Sequence, residues 1–339
     1  MRPLTAAACE EHSNRLLLRV HRRNTISTNR IDLIESGTAS GHIYASPSLE
    51  RQVQSGRTPM LAAELVDILC LGSGGVGMAA GIAGADAGLE VLVAEYRQER
   101  TAPIQAVDAA VGSWTTLLQR RWGVEESNST AAYIDELTNS LGPPVPVEPS
   151  DRIPTDTVET FDGLNFGRTE AVPPFHGTQL AAWSRECLAS PLSLIVSRLD
   201  TWPLTPMRTV DGPTIAAALI ASLPTTRRRK MTVRQWLSEL AREKGVAVYE
   251  ACWVEELLFK GGHPMGAVLG SRARTRTVLA RRGVVFGTSS SDGHAELPMS
   301  TGDDTALCVV GRIASRFARL EFLVDASSHG IDETRGRLA

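Results

Sequence analysis

The chain has 339 residues, with 35 Lys and Arg against 38 Asp and Glu, a net charge of −3 and 42% hydrophobic residues. That length holds one large or two ordinary domains, and the near balance of charge offers no general case for nucleic-acid or membrane-surface binding. Five cysteines (Cys9, Cys70, Cys187, Cys252, Cys308) are scattered and lack CxxC spacing, which argues for a reducing, cytoplasmic setting and against a zinc site.

Residues 1–60 carry eight arginines, no lysine and five acids among many Ser, Thr and Asn, with no sustained periodicity. They read as a disordered extension, placed at residues 1–62. Glu10, Glu11, Asp32 and Glu35 are more acid than an arginine-rich targeting peptide usually carries. Leu16, Leu17 and Leu18 form too short a cluster for a secretory signal.

From Val66 to Tyr96 the sequence predicts strand, glycine turn, helix, strand and terminal acid. Gly72, Ser73, Gly74 and Gly77 follow the apolar run Ile68–Leu71 directly. Gly72 suits a tight turn, Gly74 removes a side chain where backbone must approach a pyrophosphate, and Gly77 lets the next helix pack on the strand. The unpaired N–H groups and dipole at that helix's N-terminus make an anion site without a lysine. Gly81 and Ala85 continue the small residues, Gly88 ends the helix, and Val91, Leu92 and Val93 form the next strand. Glu95 lies 18 residues after Gly77, close to the roughly 20 at which an acid accepts hydrogen bonds from the adenosine ribose. A carboxylate there disfavours a 2′-phosphate, and with it NADP. Asp67, Asp86 and Glu90 interrupt the segment too often for a membrane span.

Residues 112–140 have helical spacing, with Ser129 or Thr130 as N-cap. Residues 141–178 are a long Pro, Gly and Asp-rich loop of the kind that covers a site. The run from Gly212, PTIAAALIASL, reads as a buried helix, and Val233 to Lys244 as an amphipathic one. Arg227 to Lys230, between them, reads as a solvated helix-to-helix loop, since no aromatic residue interleaves it as in a nucleic-acid patch. Short strands at Val246–Tyr249 and Trp253–Leu258, a turn at Gly261-Gly262 and a strand at Ala267–Leu269 suggest a meander or hairpin. A third strand covers Gly283–Thr288, and Ala306 to Phe317 reads as helix-like. Ser291-Asp292-Gly293-His294 has hydrolase residue types without triad spacing or a GxSxG elbow. His176 and His263 lack ligand-spaced partners, so no metal site is predicted.

The order of these parts resembles the flavoproteins of the fumarate reductase and 3-ketosteroid Δ1-dehydrogenase superfamily, the steroid-dehydrogenase branch more closely. The resemblance runs from about Val66 to about Phe317. It rests on the fingerprint with Glu95, FDGLNFGR, AVPPFHG, GPTIAAALIASL, EKGVAVYEACWVEELLFKGGHPMGAVLG, ARRGVVFGTSS and STGDDTAL. It implies an α/β, FAD/NAD(P)-binding Rossmann-like three-layer fold. The FAD-binding domain would span 63–322, with 113–211 a helical and loop-rich excursion and 323–339 a tail. It implies FAD as cofactor, with the Gly72–Gly77 turn on the pyrophosphate and Glu95 on the ribose. Val254 would meet adenine through its backbone, Thr288 would lie beside the FAD, and Asp303 would support the isoalloxazine side or ribityl chain. Read from the residues alone, Val254 is equally a core strand residue, Thr288 a strand terminus and Asp303 a helix N-cap.

The sequence departs from that family at informative places. RQERTAPIQAVDAAVGSW lacks the family's Gly-Gly segment beside the flavin. Gly287-Thr288-Ser289-Ser290 replaces Ala-Thr-Gly-Gly, and Gly302-Asp303-Asp304 replaces Gly-Asp-Gly. If Asp304 needs positive φ, it is less comfortable there than glycine. The family's substrate domain would follow this turn, whereas the sequence ends at Ala339, so the fold is expected to be incomplete. Four tyrosines (Tyr44, Tyr96, Tyr133, Tyr249) offer no tyrosine in 141–211, and no catalytic residue is carried over. The expected activity is FAD-dependent oxidation or reduction of a C–C bond next to a carbonyl of a small-molecule substrate. The alternatives are an inactive fragment, a chain completed by a partner that supplies the missing domain, and a regulatory module that binds a dinucleotide without redox turnover.

Overall fold

In a computed structural model the described residues are 63–72, 75–96, 112–124, 127–144, 152–162, 177–201, 203–212, 214–223, 230–272, 274–288, 295–299 and 304–328. The extension 1–62, Ser73, Gly74, Asp303, Arg227–Arg229, Ser291–His294, His176 and most of the FDGLNFGR and AVPPFHG phrases lie outside them.

The protein is mixed α/β with a body made mostly of sheet. Strands β1 (Glu64–Gly72) and β2 (Val91–Tyr96) flank helix α1 (Gly75–Asp86). Helices α2 (Trp114–Trp122) and α3 (Asn128–Thr138) follow, then β3 (Thr155–Val158), α4 (Gly177–Ala189), β4 (Ser193–Val196), β5 (Thr205–Arg208), β6 (Thr214–Ser222) and α5 (Val233–Glu243). The chain continues through β7 (Ala247–Lys260), β8 (His263–Gly270), β9 (Thr275–Gly287), β10 (Thr305–Gly311) and β11 (Phe317–Asp325), the last running past residue 322.

One half of the sheet is parallel. β1 pairs with β2 on one side and β9 on the other, and β2 pairs with β7, giving the order β9-β1-β2-β7. β8 joins β7 to β9 as an antiparallel meander. Side-chain alternation at period two feeds two cores. Leu69, Leu71, Leu92, Ala94, Val284 and Phe286 face one. Ile68, Cys70, Val91, Val93 and Val285 face the other, which α1 and α5 cover. α2 and α3 lie over the first core, where Trp122 stacks on Phe286 at a centroid distance of 4.2 Å.

The other half is antiparallel, β4-β11-β10-β6-β5, joined through the β4–β9 pairing, while β3 runs parallel to the end of β11. Here two sequence expectations fail. PTIAAALIASL forms β6, and Ala306 to Phe317 forms β10 and the entry to β11. Both runs are almost wholly apolar, buried along all of β10 and most of the first half of β6, and a run without a polar stripe does not separate strand from helix by periodicity alone. In β10, Ala306, Cys308 and Val310 face one core and Leu307 and Val309 the other. Ile215 and Ala217 of β6 face the first core and Ile220 the second. Alanine's helix propensity yields to these ladders, a tertiary override of a weak local preference.

Smaller differences have local causes. α3 is capped by Ser127, whose Oγ accepts from the Thr130 N–H at 3.2 Å, and not by Ser129 or Thr130. The two strands expected at Val246–Leu258 are one, because β7 leaves β2 at Cys252 and continues against β8. Asp304 has no positive φ; among the described non-glycine residues only Ala314 has one, at 67°. The amphipathic helix over 233–244, the Gly261-Gly262 turn and the meander are as expected. No helix among the described residues is long and apolar enough to cross a membrane.

Candidate functional site

Among the described residues, Gly72, Glu95, Val254 and Thr288 lie at or just beyond the carboxyl ends of the parallel pairings of β1, β2, β7 and β9. In register, Gly72 of β1 sits beside Glu95 of β2, and its β9 neighbour is Gly287, which immediately precedes Thr288. On the other side, β2 ends at the Tyr96–Cys252 pair, two residues before Val254. In open α/β sheets this edge is where ligands bind.

Gly72 has φ +151°, and a Cβ there would lie 2.9 Å from the Cα and N of Gly287. No side chain fits, because both the conformation and the neighbouring backbone reserve the position for glycine. α1 begins three residues later, so its first N–H groups open at the same edge. The closest helix-to-strand contacts come further along than expected. A Cβ on Gly81 would lie 2.8 Å from Val93 Cγ2 and one on Gly84 2.7 Å from Val91 Cγ2, whereas one on Gly77 would sit at 3.4 Å from Val93 Cγ1, an ordinary contact.

Glu95 is largely covered, with its side chain 13% exposed, and its Oε1 is paired with Nη2 of Arg234, 36% exposed. The partner comes from α5, which lies parallel to α1. Arg234 stands against Gly75 at one end, and Lys244 Nζ pairs with both carboxylate oxygens of Asp86, at 2.6 and 2.8 Å, at the other. Sequence reading missed Arg234. Its signal was positional: the Thr232–Gln235 capping box puts an arginine in the first turn of α5, where the helix dipole disfavours a cation unless an acid answers it.

Val254 and Thr288 both have partners within the protein. Val254 is buried, pairs with Leu269 in β8 and bridges Val124. Thr288 is fully buried. Its N–H donates to Ser193 O at 2.8 Å, its hydroxyl shares a 2.7 Å hydrogen bond with Ser193 Oγ, and its carbonyl accepts from Arg121 Nη1 at 3.0 Å. Cys252 donates to the Glu95 carbonyl at 3.7 Å, and burial pushes its thiol up to about 11, so it is no thiolate nucleophile at neutral pH. Tyr133 is buried edge-on against Phe259, and burial raises its phenol well above its ordinary value. It packs in the first core, with the Arg316 guanidinium over its ring.

No family model and no curated protein matches the chain. Among solved structures it is similar to the 3-ketosteroid Δ4-(5α)-dehydrogenase from Rhodococcus jostii RHA1, at 18% identity and TM-score 0.26, over 68% of this chain and 47% of that one. It is similar to the 3-ketosteroid Δ1-dehydrogenase from Sterolibacterium denitrificans, at 14% identity and TM-score 0.25, over 66% and 47%. An open conformation of a flavocytochrome c3 fumarate reductase gives 14% identity and TM-score 0.24, over 69% and 34%. The matched region spans less than half the length of each of these proteins.

Proposed function

We propose that the protein binds the adenosine diphosphate half of FAD at the carboxyl edge of β9-β1-β2-β7 and serves as an FAD-dependent oxidoreductase. The substrate class proposed from the sequence resemblance is a small molecule with a C–C bond next to a carbonyl. The observation that carries the binding reading is the register of Gly72 with Glu95, beside a helix that starts at Gly75. Gly72 makes the tight turn that leaves β1 against the backbone of Gly287, the first turn of α1 supplies N–H donors, and Glu95 accepts from ribose hydroxyls. FAD, when bound, supplies the redox chemistry.

A second reading is a dinucleotide-binding module without redox turnover. It is favoured by Thr288, which is fully buried with its hydroxyl hydrogen-bonded to Ser193. The two are separated by loading the purified protein with FAD. A bound flavin spectrum that is lost in Glu95→Ala supports the first reading, and turnover of a 3-ketosteroid with an artificial electron acceptor establishes it. Binding of ADP without retention of flavin supports the second. Failure to bind either FAD or ADP overturns both.

A further inference from the structure

The sequence alone places an unanswered carboxylate at the end of β2, ready to accept from a ribose. In the structure the chain answers it from within, because Nη2 of Arg234 on α5 is paired with Oε1 of Glu95. We propose that Arg234 is a built-in competitor of the ribose for Glu95, an autoinhibitory contact that a ligand displaces when its two ribose hydroxyls take both carboxylate oxygens. The inference rests on the dinucleotide reading above and concerns a ribose with free hydroxyls, as in FAD.

Three observations support it. The first is the geometry of the pair, which joins one guanidinium nitrogen to one carboxylate oxygen. A carboxylate accepts through both of its oxygens. A ribose that meets the paired acid therefore gains one hydroxyl bond, at Oε2, and the second only after Arg234 leaves Oε1. The second observation is exposure. The Arg234 side chain is 36% exposed against 13% for Glu95, so water already reaches the guanidinium and can receive it when it is displaced. Ion pairs in contact with water are weak enough to be exchanged for ligand bonds.

The third observation is that the backbone carrying Arg234 is fixed. Thr232 and Gln235 close a capping box around it, and the Val233 N–H donates to Ala295 O at 2.8 Å. A Cβ on Gly75 would lie 2.9 Å from Leu237 Cδ1 and 3.4 Å from Arg234 Cα, so the first turn of α5 is seated on the first residue of α1. Lys244 and Asp86 hold the other end of α5 against α1. Release of Glu95 is thus a rotation of one side chain and not a displacement of the helix. The guanidinium also attracts a pyrophosphate from the same position, so total affinity mixes two opposed effects. Only the contribution of the ribose hydroxyls isolates the competition.

Calorimetric titration of the full chain with ADP and with 2′,3′-dideoxy-ADP tests the proposal, the ratio of the two affinities measuring what the ribose hydroxyls contribute. The wild type is expected to prefer ADP by about three-fold or less, and Arg234→Gln to raise that preference by about five-fold or more. In Glu95→Gln the preference should be small with or without Arg234→Gln. Each ratio is taken within one preparation, so a partly unfolded variant does not disturb it. If ADP binds and the preference is unchanged or lower in Arg234→Gln, the proposal is overturned and the dinucleotide site stands. A gain that persists in the Glu95→Gln background overturns it as well, because the arginine then acts elsewhere. Loss of ADP binding in Arg234→Gln alone would make the arginine an aid to the ligand, with the same consequence. Binding of ADP by neither the wild type nor Arg234→Gln would overturn the site and the proposal together.

Discussion

From β9 to β7 the sheet is parallel, and its closest contacts are made by glycines: Gly72 against the backbone of Gly287, Gly81 and Gly84 against valines of β2. From β4 to β5 it is antiparallel, and the contacts are made by interleaved side chains such as Leu194, Leu307, Val309 and Leu320. The two halves are therefore vulnerable in opposite directions. The parallel half has no room for an added methyl at its glycines, whereas the antiparallel half loses most when a side chain is removed. The proposed ligand edge sits on the half where Gly72 meets the backbone of Gly287.

The largest expected effect tests the first half of that contrast. Gly72→Val places a branched side chain at φ +151° and 2.9 Å from Gly287. Overpacking and backbone strain each cost about 1–3 kcal/mol, so a loss of about 4 kcal/mol is expected in urea unfolding. A loss under about 1 kcal/mol would show that the strand ends are not locked together. Leu320→Ala tests the other half. Leu320 is fully buried in the second core, and its truncation is expected to cost about 3 kcal/mol through lost burial and the cavity left behind.

These halves also differed in how far the sequence announced them. Asp67 to Glu95 was legible because glycine spacing, alternation and a terminal acid each have a separate physical cause and agree. The amphipathic α5 was legible from its capping box and single apolar stripe. β6 and β10 were not, because β10 is buried along its whole length, β6 carries apolar residues even at the exposed Leu219, and the alanines of β6 favour helix locally. Arg234 was legible only as an arginine in an unfavourable first turn. The acid that answers it is 139 residues away, and only the register of β1 with β2 and the packing of α5 on α1 bring the two together. Thr288 directly follows β9, and its tie to Ser193 depends on β4, which the sequence reading left inside a helical and loop-rich excursion.

The antiparallel half also carries a buried carboxyl paired with an arginine. Glu321 of β11 is buried, and desolvation holds its carboxyl above the ordinary 4.5 in spite of its 2.6 Å pair with Arg319. A carboxyl raised in the folded state favours folding while it is protonated. Its contribution is therefore fully present below pH 4.5 and is lost as the pH rises through the raised value. Glu321→Gln should flatten the pH dependence of Tm across that window. An unchanged profile would show that Arg319 offsets the burial fully.

The smallest effect separates packing from ligand approach within α1 itself. Gly81→Ala puts a methyl 2.8 Å from Val93 Cγ2 and 3.1 Å from Val246 Cγ1, and both are side-chain atoms that can shift. The clash is opposed by alanine's helix preference of about 1 kcal/mol over glycine, so a net loss of about 1 kcal/mol is expected. Gly77→Ala meets Val93 Cγ1 at 3.4 Å, where the same preference is unopposed, and stability should hold or rise slightly. If Gly77 has a role in admitting a pyrophosphate, its alanine variant should nonetheless lose ADP affinity in calorimetry while Gly81→Ala retains it. The opposite order would make Gly77 a packing residue and move the ligand's approach to the residues before α1.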